Sequence, residues 1–293
     1  MKNILLIPHV KVHNANALSS PYTIGFPAMT AWLGAIHALE RKLKQSSHEE
    51  YDDLHFKGVA VVCFDMKLHT HKGHGDYVYS IIGTGNPLNK NGNRPSFIEE
   101  ARCRLDVSLV IEYDCEQDDD LPEHVDYCLP TLKMAGGDIL QSGAAKVFEI
   151  YDQSSHQKLI RQLMPGFCLI ERRDLMLAAM ADGQDAIDAL LDYLKVTYKC
   201  QLDENNNVKW ISGRKEKGWI VPIATGFHGI SDLGKAQHQR DPDTPHRFAE
   251  SIVTLGEFVM PYRIRELDNM LWHYHVDLEN NLYICQQNKS IDR

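Results

Sequence analysis

Three imidazoles lie close together, His69-x-His71-x-x-His74 with Asp76 just beyond. Neutral ring nitrogens at that spacing could ligate a metal ion from a strand end or loop. The plainer reading is a solvated loop made polar and flexible by Thr70, Lys72, Gly73 and Gly75. It is preferred because a metal centre also needs oriented partners behind its ligands. A second group offers different chemistry. Asn14, Asn16, Ser19, Ser20 and Thr23 present short donors and acceptors just before Pro27, which opens a helical pattern. Free backbone N–H groups and the positive helix end could then face an anion such as phosphate. Turn and capping work by the same side chains is the alternative on spacing alone. Positive charge also gathers in three places: Lys90, Arg94, Arg102 and Arg104; Lys158, Arg161, Arg172 and Arg173; Lys209, Arg214, Lys215 and Lys217. With Arg247, Arg263 and Arg265 these could line one groove, where Arg meets phosphate and Phe26, Phe97, Trp219 or Trp272 stacks on unpaired bases. Each aromatic taken alone suits a core equally well.

Other chemistries find no support. There is no G-x-x-x-x-G-K-[ST], and Gly83-Thr84-Gly85 runs into Asn86-Pro87-Leu88, so neither phosphate-loop fingerprint is complete. H-E-x-x-H and G-x-S-x-G are missing. The 7 cysteines form no C-x-x-C pair, which suits free thiols in a reducing cytosol better than a disulfide framework or a Cys-pair zinc site. With 31 Lys+Arg against 40 Asp+Glu the net charge is −9, against a protein that coats nucleic acid over its whole surface but not against a local RNA groove. Much of that acidity sits between Glu112 and Asp126.

These residues need elements to hold them. A chain of 293 residues that is 43% hydrophobic and 24% charged can bury a real core and is neither fibrous nor wholly disordered. No apolar run approaches the roughly 20 residues that span a bilayer. Ile4 to Ile7 is too short for a signal-peptide core and reads as a first buried strand, followed by a polar loop from Lys11 to Gly25. Met29, Trp32, Leu33, Ile36, Leu39 and Leu43 recur at three and four and predict a helix after Pro27. Strands are expected at Val59–Phe64, Tyr77–Ile82, Leu105–Tyr113, Phe167–Ile170, Trp219–Ile223, Ile252–Met260 and Leu282–Cys285. Helices are expected at Pro122–Met134 and His156–Leu163, through Asp174–Tyr198 with a break near Gly183, and from Ile264 to Tyr274, so that His273-x-His275 falls at a helix end. Turn chemistry fills Asn86 to Pro95 and Asp203 to Asn207. The alternation with antiparallel signals predicts an α+β fold on a modified ferredoxin-like core. Its antiparallel sheet would carry long insertions: a projecting hairpin near 83–104 and a helical insertion near 174–200, within one domain over 1–293.

The order of several short blocks resembles a known family. They are Asn14-Ala15-Asn16-Ala17-Leu18-Ser19-Ser20-Pro21 with Gly25-Phe26-Pro27; Asn86-Pro87-Leu88-Asn89; Glu99-Glu100-Ala101-Arg102; and Ala135-Gly136-Gly137-Asp138-Ile139-Leu140. Leu163-Met164-Pro165-Gly166-Phe167, Gly218-Trp219-Ile220-Val221-Pro222-Ile223, Thr244-Pro245-His246-Arg247-Phe248 and Leu271-Trp272-His273-Tyr274-His275 continue the series. In this order they resemble the second Csy protein of the type I-F CRISPR surveillance complex, a Cas-five-like member of the RAMP superfamily. The resemblance implies a noncatalytic subunit with an RRM-like core that holds the 5′ handle of the CRISPR RNA. It further implies pairing with the large subunit, contact with a backbone subunit, and a share in surveying double-stranded target DNA in the bacterial cytoplasm. The 86–95 projection would be its thumb-like hairpin. The His69 loop and the Asp118–Asp120 run have no place in the pattern.

The RNA-binding residues expected are Asn14, Asn16, Ser19, Ser20, Thr23, Phe26, Arg94, Arg102, Arg104, Arg247 and Arg263, with no catalytic residue, metal or cofactor. The first alternative is a metal-independent endoribonuclease that activates a ribose 2′-OH, with His13 or His37 and Lys11 or Tyr22 as candidates. The second is a metallohydrolase built on His69, His71 and His74.

Overall fold

The structure, a computed structural model, describes residues 1–46, 51–83, 87–96, 100–116, 118–202, 207–239 and 241–287. Strand β1 (Lys2–Asn16) runs well beyond the apolar tetrapeptide that announces it. Leu5 and Ile7 join one buried cluster and Ile4 and Leu6 another, the period-two pattern of a strand covered on both faces. The expected polar loop from Lys11 is therefore strand as far as Asn16: Val12 and Ala15 still bury, and two irregularities in the pairing absorb the polar residues between. At those points His9 and Asn14 take positive φ, 51° and 61°.

A small hairpin, β2 (Leu18–Ser20) and β3 (Thr23–Ile24), leads into helix α1 (Met29–Ser46). Next come β4 (His55–Leu68), the short pair β5 (Thr70–His71) and β6 (Ser80–Ile81), and β7 (Arg102–Asp114). Helix α2 (Leu121–Cys128) ends in a 3-10 turn, Leu129–Thr131, before β8 (Lys133–Met134), β9 (Gly137–Gln141) and β10 (Lys146–Ile150). Then follow α3 (Gln153–Gln162), β11 (Phe167–Glu171), α4 (Arg173–Ala181), α5 (Ala186–Leu194) and the hairpin β12 (Thr197–Leu202) with β13 (Val208–Gly213). The chain closes with β14 (Ile220–Gly229), β15 (Ala249–Val259), 3-10 turns at Pro261–Arg263 and Leu267–Asn269, β16 (Trp272–Asp277) and β17 (Leu282–Gln287).

The fold is α+β. Its 11-stranded sheet runs β11-β15-β14-β17-β16-β4-β7-β1-β9-β8, with β10 also on β1 and β11 also on β4. Every pairing in it is antiparallel. One edge of β4 takes β7; the other is shared between β16, at Trp272↔Val59, and β11, at Phe167↔Cys63 and Cys168↔Val62. The strands from β4 through β16, β17, β14 and β15 to β11 thus close a ring, pinned where the Trp272 indole N–H donates to Leu169 O at 2.9 Å. Within the first half, β1, α1, β4, β7, α2 and β10 follow one another in sequence, and their strands lie in the order β10-β1-β7-β4. Helices α1 and α2 cover the face that carries Leu5 and Ile7. Helix α3 and residues Ile264 to Leu271 cover the opposite face, against Ile4 and Leu6.

Several expectations need correction. The spacing of Ile264, Leu267, Leu271 and Tyr274 forms no helix: 3-10 turns at Pro261–Arg263 and Leu267–Asn269 and the residues after them drop Ile264, Leu267, Met270 and Leu271 into the α3-side core, and Trp272 begins a strand that carries Tyr274. His273 and His275 are strand residues. Only Ser80 and Ile81 of the expected 77–82 strand are paired; Tyr77 is 97% exposed, β-propensity without a neighbour to pack on. Pro122–Met134 is a helix for only half its length, because the chain turns back at Ala135-Gly136 to pair β8 with β9. Residues 87–96 are exposed turn and coil with no strand pairing, and 102–104 belong to β7; residues 84–86 and 97–99 of the expected 83–104 projection lie outside the described residues, and among the described residues the strand pairs apart from the large sheet are β2–β3, β5–β6 and β12–β13. The helical insertion breaks at Gly183 as expected but stops before Thr197. Residues 203–206 of the expected turn, and Phe97, lie outside the described residues.

Candidate nucleic-acid interface

At the end of β1, Asn16 folds onto its own backbone: its Nδ2 donates to Leu18 O and its Oδ1 accepts the Leu18 N–H, both at 3.1 Å. Its own N–H donates to Ala135 O at 2.8 Å, and the Ala17 N–H to Ala101 O at 2.9 Å. Three separate stretches meet here. The third is the β8–β9 turn, whose two central residues, Ala135 and Gly136, both have positive φ (49° and 74°), the geometry of a tight two-residue hairpin. Gly137 has no room for a side chain, since a Cβ would lie 2.6 Å from His13 O.

These pieces wall a groove of about 620 Å³ with the first half of α1. The helix contributes Ala31, Gly34, Ala35 and Ala38, a face kept low by small side chains, and its N-terminal approach at Pro27 and Ala28 opens into the same space. Across from it stand Asn16, Glu100, Arg102, Lys133 and Gly136. Arg102 donates through Nη2 to Glu100 at 2.6 Å, while its Nε is buried without a partner among the described residues. Lys133 pairs with Asp138 at 2.5 Å, and that ammonium holds the Asp138 carboxyl below its usual range. The groove's cations are thus partly balanced by neighbouring carboxylates. Exposed Arg104 sits beside Lys67 in the β4–β7 register, two positions along β7 from Arg102. His13 and His69 face each other with ring centroids 5.5 Å apart; partial burial, then His13, lowers the His69 pKa. The His69 N–H donates to Arg102 O at 2.8 Å, so the sequence's histidine loop buttresses the groove through its backbone.

The expected site residues divide. Asn16 and Arg102 line the groove, with exposed Asn14 at the bulge just before Asn16 and Arg104 just beyond Arg102 on the sheet. Ser19, Ser20 and Thr23 are spent on one another: the Thr23 hydroxyl lies 3.0 Å from Ser19 Oγ and 2.8 Å from Ser20 Oγ, an arrangement that ties β2 to β3. Phe26 is 4% exposed, its ring stacked on Trp32 and edge-on to Phe258, with no face left for a base. Trp272 is likewise core; Trp219 is 53% exposed beside Phe167 and Phe258. Arg94 stands on the exposed 87–96 segment. Arg247 lines a different cavity, with Phe227, Val276 and Tyr283, and donates to Asn281 Oδ1. Arg263 is on the α3 side of the sheet, beside Tyr262. The single groove holding every cationic cluster is therefore not what forms: long-range pairing distributes them, and Arg172, Arg173 and Lys215 are occupied by Asp174, Glu257, Glu171 and Asp192.

Sequence reasoning missed Lys133, the Ala135-Gly136 turn and the small face of α1. The Gly136-Gly137 pair and the recurrence of Ala and Gly at 31, 34, 35 and 38 were the available signals. Among the described residues no three His, Cys, Asp or Glu side chains gather to hold a metal ion, and no helix is long and apolar enough to cross a membrane. His37 is exposed on α1, and neither Lys11 nor Tyr22 lines the groove.

Comparison with known proteins places this geometry in context. The profile of the family described as CRISPR-associated protein (Cas_Csy2) matches residues 5–285. A relative described as CRISPR-associated protein Csy2, from Pseudomonas aeruginosa (strain UCBPP-PA14), is 31% identical over 314 residues, covering 96% of this chain and 94% of the relative.

Proposed function

The chain belongs to the Csy2 family of CRISPR-associated proteins, subunits of the type I-F CRISPR complex, and from that premise we propose that it holds the 5′ handle of the CRISPR RNA without cutting it, in the groove between α1 and the ends of β1 and β7. The observation that carries this reading is convergence. Three stretches far apart in sequence, from Asn16 through Pro27 into α1, at Glu100 and Arg102, and from Lys133 to Gly136, wall one cleft. The cleft joins a helix approach to an Arg102 Nε that has no partner among the described residues, and such groups suit a ribose–phosphate backbone. The β-α-β-β-α-β path with strands in the order β10-β1-β7-β4 supports reading the core as ferredoxin-like and RRM-like, a frame that RNA-binding modules use. Asn14, Asn16, Arg102 and Arg104 are assigned to the handle, and Arg94 to the outer loop near it. In this reading the partners are the handle, the large subunit and a backbone subunit, the assembly engages double-stranded target DNA, and the protein works in the bacterial cytoplasm.

Holding needs no acid or base. Cleavage through a ribose 2′-OH needs a base, an acid and a phosphate stabiliser together, and the ring closest to His13 is that of another histidine. The test is to incubate the full-length protein with handle-bearing RNA, alone and with the large subunit, with and without a chelator. Retention of intact RNA supports the reading; cleavage in chelator points to the endoribonuclease, and chelator-sensitive cleavage to a metallohydrolase. Arg102→Ala should shallow the dependence of log affinity on log salt by roughly 0.7, the share of one single-strand phosphate contact. An unchanged slope removes Arg102 from the interface.

A further inference from the structure

On the opposite side of the sheet from α1, helix α3 and the 3-10 turn Pro261–Arg263 flank a second groove of about 500 Å³. Gln153, His156, Gln157 and Arg161 line it from the helix, Tyr262 and Arg265 from the other wall. In a chain of net charge −9, no carboxylate among the described residues lines this groove. Among the described residues neither Arg161, Arg265 nor the neighbouring Arg263 has a carboxylate within 4.0 Å, whereas Arg102, Arg172 and Arg173 all do. His156 Nε2 is buried without a partner among the described residues, Lys158 stands on the same helix, and Tyr262 is 57% exposed, with the Arg263 guanidinium 5.9 Å from its ring centre.

We propose that this α3 groove binds the phosphodiester backbone of a second nucleic-acid strand, distinct from the one beside α1. Unpaired guanidiniums suit phosphate oxygens, two Gln amides add donors, and an exposed tyrosine offers a flat face to a base or sugar. A strand seated along α1 would have to pass around the sheet to reach Arg161, so the two grooves serve separate strands. An acidic protein surface would meet the same guanidiniums; the exposed aromatic and the amide donors favour nucleic acid.

The test assembles the complex with the large subunit and handle RNA, then titrates it with a labelled 30-base-pair DNA duplex and, separately, a handle-free single-stranded RNA. Parent protein is compared with the double variant Arg161→Ala/Arg265→Ala. The expected result is unchanged assembly and handle affinity. Affinity for at least one probe should fall about tenfold, with the salt slope shallower by roughly 1.8 for duplex DNA or 1.4 for single-stranded RNA, two phosphate contacts in either case. Which probe responds identifies the strand. The variant Arg161→Lys/Arg265→Lys should recover most of the loss, which a folding defect would not. Equal affinity and slope for both probes overturns the proposal. So does failure of the Ala variant to join the large subunit, which would make the groove a protein interface, and so does a matching loss of handle binding, which would make the two grooves one site. Failure of the parent itself to bind the handle bears on the proposed function instead.

Discussion

Asn16 has a double duty. Its amide closes a turn onto Leu18 while its backbone N–H reaches Ala135, so Asn16→Ala should cost about 1 kcal/mol in stability as well as weaken the handle. Chemical denaturation read beside RNA affinity separates the two effects; an affinity unchanged in the folded variant assigns Asn16 to the turn alone. Burial also divides the thiols. It pushes Cys103 up to about 11 and Cys285 up to about 12, while Cys200 is exposed on β12. Raised pKa values leave little thiolate at pH 8, so alkylation of native protein there should label Cys200 well before Cys103, Cys168 and Cys285, as peptide mass spectrometry would show. Early labelling of Cys168 would mean that the core around β11 opens. At this scale the sequence showed Asn14, Asn16, Arg102 and Arg104 as polar or charged groups in suggestive company. It could not show that Ser20 and Thr23 bond each other or that Phe26 turns inward, because those outcomes depend on which residues face them across space.

Elements with one dominant period were readable. Helix α1 follows its spacing of three and four, and β7 its apolar run. The β12–β13 hairpin was not readable from Thr197 because every residue of its two strands is exposed and no buried face imprints a period. The Ile264–Leu271 stretch misleads because 3-10 turns bury every third residue, which overlaps helical spacing. Two elements make sharp predictions. Trp272 is wholly buried where β16 meets β4, so Trp272→Ala should destabilise the fold by about 3–5 kcal/mol and open the strand ring. A denaturation midpoint near the parent's would contradict that ring. Gly137→Ala must push β9 away from His13 O and should cost roughly 1–3 kcal/mol. Because β9 carries the Ala135-Gly136 wall, handle affinity should fall with it, and calorimetry alongside RNA titration would show whether the two move together.

Across the whole molecule, an acidic total conceals two grooves on opposite sides of one sheet: one walled by small residues and balanced ion pairs, the other lined without a carboxylate. Neither was legible as a place, because Asn16, Arg102 and Gly136 meet only through the registers of β1 with β7 and β9. The hairpin belongs to none of the buried clusters, so replacing residues 197–213 by a short Gly-Ser linker should leave the thermal midpoint within about 2 °C. A larger drop would show that it supports the sheet. The most direct test of the central claim is ultraviolet cross-linking of handle RNA to the full-length protein within the assembled complex, with the adducts mapped by mass spectrometry. The account predicts intact RNA and adducts on peptides spanning residues 13–18, 100–104 and 133–137. Cleaved RNA, or adducts confined to the cavity around Phe227, Arg247 and Tyr283, would contradict it.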